Sequence, residues 1–304
     1  MVVSRCAARR EIWGCVVPFE PAHGDHAIVE VAFQLELDRA IDPTDVQNLL
    51  QLFSRLRDDL PAVRHFTQAQ ASLPTSPSGP PVPLGGSTVG LEFPSFRRDG
   101  SFEWRLLCFD RSLTVNCTVY TRWARVWSKA RDHLEKALEA LSGSKAVRLR
   151  AVVLEYVDEF LWRGTDDGPV FEEVLEFRSE FIPRSLSKSR KYWHLHQGWF
   201  ASPEELIGHA SELPHGRILE RLNVDSTERR DPGSTSVSEC GLRIHHLMRY
   251  EFESSPLPAA DLSENRSVSR CFEALHDLNK RRLSQLLTRQ AQRRIGLDGA
   301  HLGD

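Results

Sequence analysis

Polar side chains suited to binding an anion or a metal recur at alternate positions of three strand-like segments. The segments are residues 193–200, 217–225 and 242–250. Because alternate residues of a strand point to opposite faces of a sheet, each segment should turn its apolar residues one way and its polar residues the other. The polar side would collect eight residues, named here the His/Arg set: His194, His196, Arg221, Asn223, Asp225, Arg243, His245 and Arg249.

A metal site is one interpretation of the His/Arg set. Two histidines two residues apart on a strand point the same way, so His194 and His196 could bind a divalent ion with His245 or Asp225. The carboxylate that follows such a pair in cupins is missing, since the nearest glutamate downstream is Glu204. We therefore predict no metal.

Two other interpretations remain open. Arg221, Arg243 and Arg249 could form a site for a phosphate or a carboxylate, with Asn223 and the histidines donating further hydrogen bonds. Alternatively, the set is a solvated sheet face or a subunit interface. The latter is favoured because antiparallel sheets commonly leave one face in water.

A second cationic feature closes the chain. Residues 280–294, KRRLSQLLTRQAQRR, contain no acid, and Arg282, Arg289 and Arg293 fall on one helical stripe. Such a stripe could bind nucleic acid or an acidic partner. The net charge of -3 gives that interpretation no support, and a solvated helix end, where cations are favoured, is preferred.

Other catalytic and cofactor motifs are missing. The sequence has no G-x-G-x-x-G after a strand, no Walker loop, no G-x-S-x-G and no H-E-x-x-H. The 6 cysteines are scattered without a C-x-x-C pair, which argues against a zinc site. We predict no cofactor, and the sequence leaves open whether the protein is an enzyme.

Composition is typical of a soluble protein. The 304 residues are 40% hydrophobic and 27% charged, enough to bury one large core or two ordinary ones. No apolar run approaches the roughly 20 residues of a membrane helix. The N-terminus, MVVSRCAARREIWG, has no long apolar segment typical of a signal peptide. We expect a cytoplasmic protein that does not enter membranes.

The element order that would position these residues occurs twice. In a first half, residues 27–143, a strand at 27–37 and a helix opened by Asp42 and Pro43 lead to three strands and a helix over 122–141. Within it, residues 72–86 (SLPTSPSGPPVPLGG) predict a mobile Pro/Ser/Gly loop. In a second half, residues 144–296, a long strand over 147–162 precedes the three polar-faced strands and a closing helix over about 264–294.

This order predicts an α+β protein of two β-α-β-β-β-α halves, each an antiparallel sheet packed by its own long helix. The arrangement resembles a helix-grip duplication, although one irregular α+β domain is the alternative. Residues 1–26 would be an N-terminal extension and residues 297–304 a C-terminal tail.

Three segments resemble a family of uncharacterised bacterial proteins of similar length and sporadic distribution. They are VEVAFQLEL (29–37), WHLHQGWF (193–200) and FEALHDLNKRRLSQLLT (272–288). The resemblance implies no catalytic residues. The patchy occurrence of the family resembles that of mobile-element or defence-associated genes, although the long Pro-rich loop is not expected of the family as a whole.

The leading functional prediction is a non-enzymatic binding or interaction module with a protein partner or a second copy of itself, associated with a defence or toxin-related locus. The alternatives are an enzyme or ligand-binding protein that uses the His/Arg set on an anionic or phosphorylated substrate, and nucleic-acid binding through the closing helix.

Overall fold

Four helices and a large antiparallel sheet make up the part of the chain described by the computed structural model. The described residues are 19–71, 83–142, 146–163, 169–188, 192–206, 208–229, 239–253, 256–264 and 266–297. The chain is therefore an α+β protein, as its sequence predicts. None of the described helices combines the length and apolar character needed to cross a bilayer.

One short strand precedes the first half, which begins with a longer strand and a capped helix. The elements are β1 (Phe19–Pro21), β2 (Ile28–Leu37), α1 (Pro43–Leu56), β3 (Arg64–Ala71), β4 (Pro83–Phe96), β5 (Phe102–Phe109), β6 (Ser112–Cys117) and α2 (Trp123–Ser142). Asp42 caps α1 by accepting from the amides of Thr44 and Asp45, and the Asp45 carboxylate accepts in return from the Asp42 amide. This reciprocal pair satisfies amides that a helix start leaves unbonded.

The second half is mostly strand. Its elements are β7 (Arg148–Trp162), β8 (His194–Ala201), β9 (Gly216–Arg229), β10 (Glu239–Phe252), β11 (Leu257–Pro258), α3 (Ser267–Leu286) and α4 (Arg289–Arg294). Among the described residues between β7 and β8, the short 3-10 turns 171–173 and 184–188 stand where the β-α-β-β-β-α order predicts an α-helix, and a further turn, residues 203–205, follows β8.

The eleven strands of the described residues all belong to one sheet, where the sequence predicts two. The strand order is β3-β4-β5-β6-β2-β7-β10-β9-β8, with β1 and β11 also pairing with β7. β2 and β7 pair antiparallel at the centre, so β6, β5 and β4 follow on one side and β10, β9 and β8 on the other. The first strands of the two halves thus fuse their sheets.

The helices cover one face of this sheet, called the helix side. Phe33 of β2 packs against Trp123 and Trp127 of α2 and also against Phe272 of α3. One hydrophobic cluster therefore spans both halves. A smaller cluster gathers around Phe171 and the start of β8.

The predicted closing helix is two helices, because its backbone changes hydrogen-bond partners at Leu287. Leu287 is extended (φ -95°, ψ 146°). The Leu286 carbonyl accepts from the amide of Glu176, and the Thr288 amide donates to the carbonyl of Val174. Thr288 then caps α4.

Several predicted boundaries also differ from the structure. Residues 83–86, the end of the predicted mobile loop, belong to β4, whereas residues 72–82 lie outside the described residues. β1 lies within the predicted N-terminal extension, of which residues 1–18 are not described, and β3 was not predicted. In the predicted tail only Leu297 is described.

Candidate functional site

The face opposite the helices carries the whole His/Arg set, as strand alternation predicts. On β10, Leu242, Ile244 and Met248 are buried on the helix side, so Arg243, His245 and Arg249 point the other way. The strand register aligns His194, Asp225 and Arg243 in one row across β8, β9 and β10, and His196, Asn223 and His245 in the next. We call this side of the sheet the open face.

The three arginines proposed as an anion site do not converge. Arg249 donates to both carboxylate oxygens of Glu36, at 2.8 and 2.7 Å, and lies 3.1 Å from Glu251. The hydrogen bond to Glu36 is the main cause that raises the pKa of Arg249. Six residues of strand separate Arg249 from Arg243, about 20 Å. Arg249 is therefore part of a structural ion-pair network.

Two members of the set keep unpaired charges. Arg221 and Arg243 are exposed, and neither has an ion-pair or hydrogen-bond partner within the described part of the chain. The histidines differ, because His196 lies 3.3 Å from Asp225 and His245 lies 2.8 Å from Glu155. Arg221 and Arg243 are thus the cations of the set that remain available to a ligand.

A pocket of about 250 Å³ lies at the middle of the open face and contains Arg243. We call it the central pocket. Both halves build it, and its lining residues are Glu30, Ala32, Arg105, Asn116, Glu155, Val157, Arg243 and His245.

The other polar side chains of the central pocket are hydrogen-bonded to one another. Arg105 donates to the Asn116 side-chain oxygen at 3.1 Å, and Asn116 donates to Glu30 at 2.7 Å. Glu155 is bonded to His245. Arg243, which the register places opposite Asp225 and Glu159, is the cation of this pocket without a hydrogen-bond or ion-pair partner within the described residues.

A larger cavity of about 520 Å³ adjoins the central pocket and shares Arg105 with it. Arg64 and Glu92 line it, and Arg64 lies over the ring of Phe96, 4.7 Å from its centroid. Arg105 lies in the same way over Phe102, at 4.5 Å. The open face thus combines charged groups with aromatic surface.

Exposed aromatic rings flank this charged centre near both ends of the sheet. The rings of Phe66 and Phe109 pack edge to face beside Gly90, with their centroids 5.7 Å apart. A Cβ added at Gly90 would lie 2.8 Å from the Phe109 ring, so a larger residue there would displace it. At the opposite end, Phe200 is 69% exposed and lies under Arg217. Exposed aromatic and arginine side chains are typical of protein interfaces.

The metal interpretation gains no structural support. The rings of His194 and His196 lie 5.3 Å apart on the exposed β8, but His245 is bound to Glu155. Within the described ranges, no three His, Cys, Asp or Glu side chains are arranged to hold a metal ion.

The predicted basic stripe is divided by the break at Leu287. Arg282 lies on α3 and is only 11% exposed. It bonds Glu220 at 2.7 and 2.8 Å and Glu205 at 2.6 Å. Arg289 and Arg293 lie on the separate helix α4. Since its charge is neutralised, Arg282 is poorly placed to bind a phosphate backbone.

Sequence reasoning missed a polar network on the helix side. Glu220 is fully buried and accepts from Arg282, Trp199 and His246, while His246 also bonds Asn279 at 2.9 Å. Burial alone would raise the pKa of Glu220, but the hydrogen bonds from Arg282 and His246 outweigh it and lower the pKa to about 2. In the sequence, Glu220 is a single acidic residue on the apolar face between Ile218 and Leu222, and this was the signal that could have predicted the network.

A second buried group is Asp158 of β7, also on the helix side. Among the described residues its Oδ2 has no hydrogen-bond partner, and burial raises the pKa of the carboxyl to about 7. Nearby, the Tyr156 hydroxyl bonds His276 at 2.8 Å, and the His276 ring stacks on Trp123. Burial lowers the pKa of His276 to about 3. These perturbed groups belong to the core.

No protein-family model matches this chain, and no curated protein matches it.

Proposed function

We propose that this chain is a non-enzymatic binding module that receives a protein partner on the open face of its sheet. The observation that carries the proposal is Arg243, an exposed cation of the central pocket that has no ion-pair or hydrogen-bond partner within the described residues. A carboxylate of the partner would form an ion pair with Arg243 there, and a charge-assisted hydrogen bond is a strong contact. The exposed aromatic rings near both ends of the sheet would provide apolar contact area.

The positions of the perturbed groups favour binding over catalysis. The carboxyls of Asp158 and Glu220 and the imidazole of His276, whose pKa values are strongly shifted, lie on the helix side. Catalytic acids and bases with shifted pKa values are expected in a cleft that substrate can enter. Here the central pocket and these three groups are on opposite faces. Glu251, whose pKa is lowered chiefly by a hydrogen bond from Arg249, is on the open face but belongs to the ion-pair network of that arginine.

A charge reversal in the central pocket tests the proposal. Tagged wild-type protein, Arg243→Glu and Arg125→Glu are used for pull-downs from native cells. Arg125 is an exposed arginine of α2, on the opposite side of the sheet, so its reversal changes net charge equally. We expect one partner to be retained by wild type and Arg125→Glu and lost by Arg243→Glu. Equal retention by both variants would refute the proposal.

A small anion is the second candidate ligand of the same pocket. Arg105 and Arg243 both line a volume of about 250 Å³, which suits a phosphate or carboxylate group. Inorganic phosphate should then raise the melting temperature of the wild type through preferential binding to the folded state. The rise should disappear in Arg243→Gln, and an unchanged rise in that variant would exclude the pocket.

We also propose that the two halves are copies of one helix-grip-like β-α-β-β-β-α unit. The strand order supports this, since β6, β5 and β4 follow β2 as β10, β9 and β8 follow β7, with β3 as an additional edge strand. Helices α2 and α3, each of 20 residues, also support it. Helix α1 has no α-helical counterpart among the described residues between β7 and β8. Superposing β2-β4-β5-β6-α2 on β7-β8-β9-β10-α3 in an experimental structure tests it. A mismatch in strand direction or helix placement would reject duplication.

The cellular setting is a further proposal. The three segments that resemble the sporadic bacterial family support a role in the cytoplasm, beside defence or toxin-related genes. Sequencing the genes that flank this one tests the locus, and cell fractionation tests the location. Unrelated housekeeping neighbours would contradict the defence association.

A further inference from the structure

The two outer edges of the sheet are built differently. At the β3 edge, pairing with β4 is interrupted by two register shifts, at Phe66/Thr67 and at Gln68/Gln70. At the β8 edge, all eight residues pair with β9 without a shift. Irregular edges resist pairing with another chain, whereas a regular edge is a template for it.

The sequence of β8 also lacks the usual edge protection. Its residues, HLHQGWFA, include no lysine, no other formally charged side chain and no proline. Natural proteins commonly place such residues on exposed edges to prevent further pairing. The regular backbone and the uncharged sequence together suit β8 to accept another strand.

The direction of the backbone groups on β8 follows from one hydrogen bond. The Ser226 amide donates to the Trp193 carbonyl at 3.0 Å, so residue 193 and every second residue after it bond β9. The amides and carbonyls of His194, His196, Gly198 and Phe200 then point away from the sheet. Within the described part of the chain, no backbone group bonds them.

Exposed aromatic surface adjoins these backbone groups. Tyr192 is 65% exposed and Phe200 69% exposed, the two highest values among the large hydrophobic residues described. Tyr192 precedes β8 and Phe200 lies near its end. Apolar rings beside a row of outward-pointing amides are the features that recognise an added strand.

We propose that β8 pairs antiparallel with β8 of a second copy of this chain, which joins two sheets into one. A two-fold axis at Gln197 would place His194 opposite Phe200 of the second copy, and His196 opposite its Gly198. His194 would then pair with the ring of Phe200, which is a favourable cross-strand contact, and His196 would face Gly198, which has no side chain. No charged residues would face each other, so the strand is complementary to itself.

Solution mass tests the dimer. The wild type should sediment at twice the 34.6 kDa mass of the chain, and the double variant His196→Lys, Phe200→Lys should sediment at the mass of one chain. Phe66→Lys places a lysine at the β3 edge and should leave the dimer intact. Circular dichroism of each variant checks that it is folded. A monomeric wild type, or a dimer unaffected by the β8 lysines, would overturn the proposal.

A crosslink tests the register. With Cys6, Cys15 and Cys240 replaced by serine, Gln197→Cys should oxidise rapidly to a covalent dimer, because the two-fold axis brings the two copies of position 197 together. Phe200→Cys is the matched control, since its opposite residue is His194 and its own copy lies several residues away. Equal crosslinking of both variants, or none at position 197, would contradict the pairing. A monomer whose β8 is occupied by a different protein would give neither crosslink.

Discussion

At the scale of single residues, the polar groups of this protein divide into two sets by face. On the open face, many polar side chains are hydrogen-bonded to side chains of neighbouring strands. Arg221 and Arg243 are the arginines of the His/Arg set that lack an ion-pair partner within the described residues. The polar groups on the helix side are buried, and their pKa values are shifted by burial and by a few hydrogen bonds. The buried set governs stability, and the exposed set is available for recognition.

Asp158 should make the protein less stable as pH rises. Burial raises the pKa of its carboxyl from 3.8 to about 7, so between these values the folded state binds a proton that the unfolded state has released. At about 1.4 kcal/mol per pKa unit, the contribution of Asp158 to the free energy of unfolding should fall by roughly 2–4 kcal/mol from acid to mildly alkaline pH. His133 and His276, whose pKa values are lowered by burial, act in the opposite direction, so this fall is measured as the difference between wild type and Asp158→Asn. Urea titrations at several pH values measure this fall.

Asp158→Asn removes the titrating group, so the difference in the free energy of unfolding, wild type minus this variant, should fall as pH rises. Asp132→Asn, at a half-exposed position of α2, should leave the profile of the wild type unchanged. A difference between wild type and Asp158→Asn that stays constant over this interval would mean that Asp158 is not protonated in the folded state.

Glu220 should act in the opposite direction. Its pKa is lowered to about 2, so its contribution to stability is present above about pH 4.5 and is lost as the pH falls towards 2. Glu220→Gln leaves Arg282 and His246 without their buried counter-charge and should cost about 3–5 kcal/mol in urea unfolding at neutral pH.

The matched control is Glu205→Gln. Glu205 bonds the same arginine but is 43% exposed, and its loss should cost less than about 1 kcal/mol. If Glu220→Gln and Glu205→Gln lowered the free energy of unfolding equally, the buried ion pair would contribute no more to stability than the exposed one.

At the scale of elements, the alternation of apolar and polar residues along the strands was the most reliable sequence signal. It sorted every residue of the His/Arg set onto the correct face, because strands of β9 and β10 pair without a bulge. It could not give the partner of Arg249, since Glu36 lies 213 residues away in sequence and only the strand order brings them together.

The break between α3 and α4 was beyond sequence reasoning for a related reason. The segment up to Arg294 contains no proline or glycine at the break, and its apolar spacing continues. The helix ends because Val174 and Glu176 offer backbone hydrogen bonds to residues 286 and 288. Tertiary partners of this kind override local propensity. β3 was missed because its sequence, RHFTQAQA, alternates weakly.

Helix α1 should depend on its cap. Asp42→Ala removes the acceptor for the amides of Thr44 and Asp45, and we expect a loss of about 1 kcal/mol in the free energy of unfolding. Thr44→Ala, at an exposed position in the same turn, should change it by less than about 0.5 kcal/mol. A larger effect for Thr44 than for Asp42 would contradict the capping role.

At the scale of the whole molecule, the two halves share one core and should unfold together. Phe33 contacts aromatic rings of both α2 and α3. Phe33→Ala should therefore cost about 3–5 kcal/mol, and hydrogen exchange should speed up equally in β2 and in β9. Faster exchange confined to the first half would show that the halves are independent domains.

The central pairing of β2 with β7 also has a consequence for synthesis. When the ribosome has released residues up to 142, strands β2 to β6 can pair, but the inner side of β2 still has no neighbour. The next 20 residues, which complete β7, take about 1–4 s to translate. For that interval the nascent chain presents an unpaired strand edge, and chaperone binding should concentrate there.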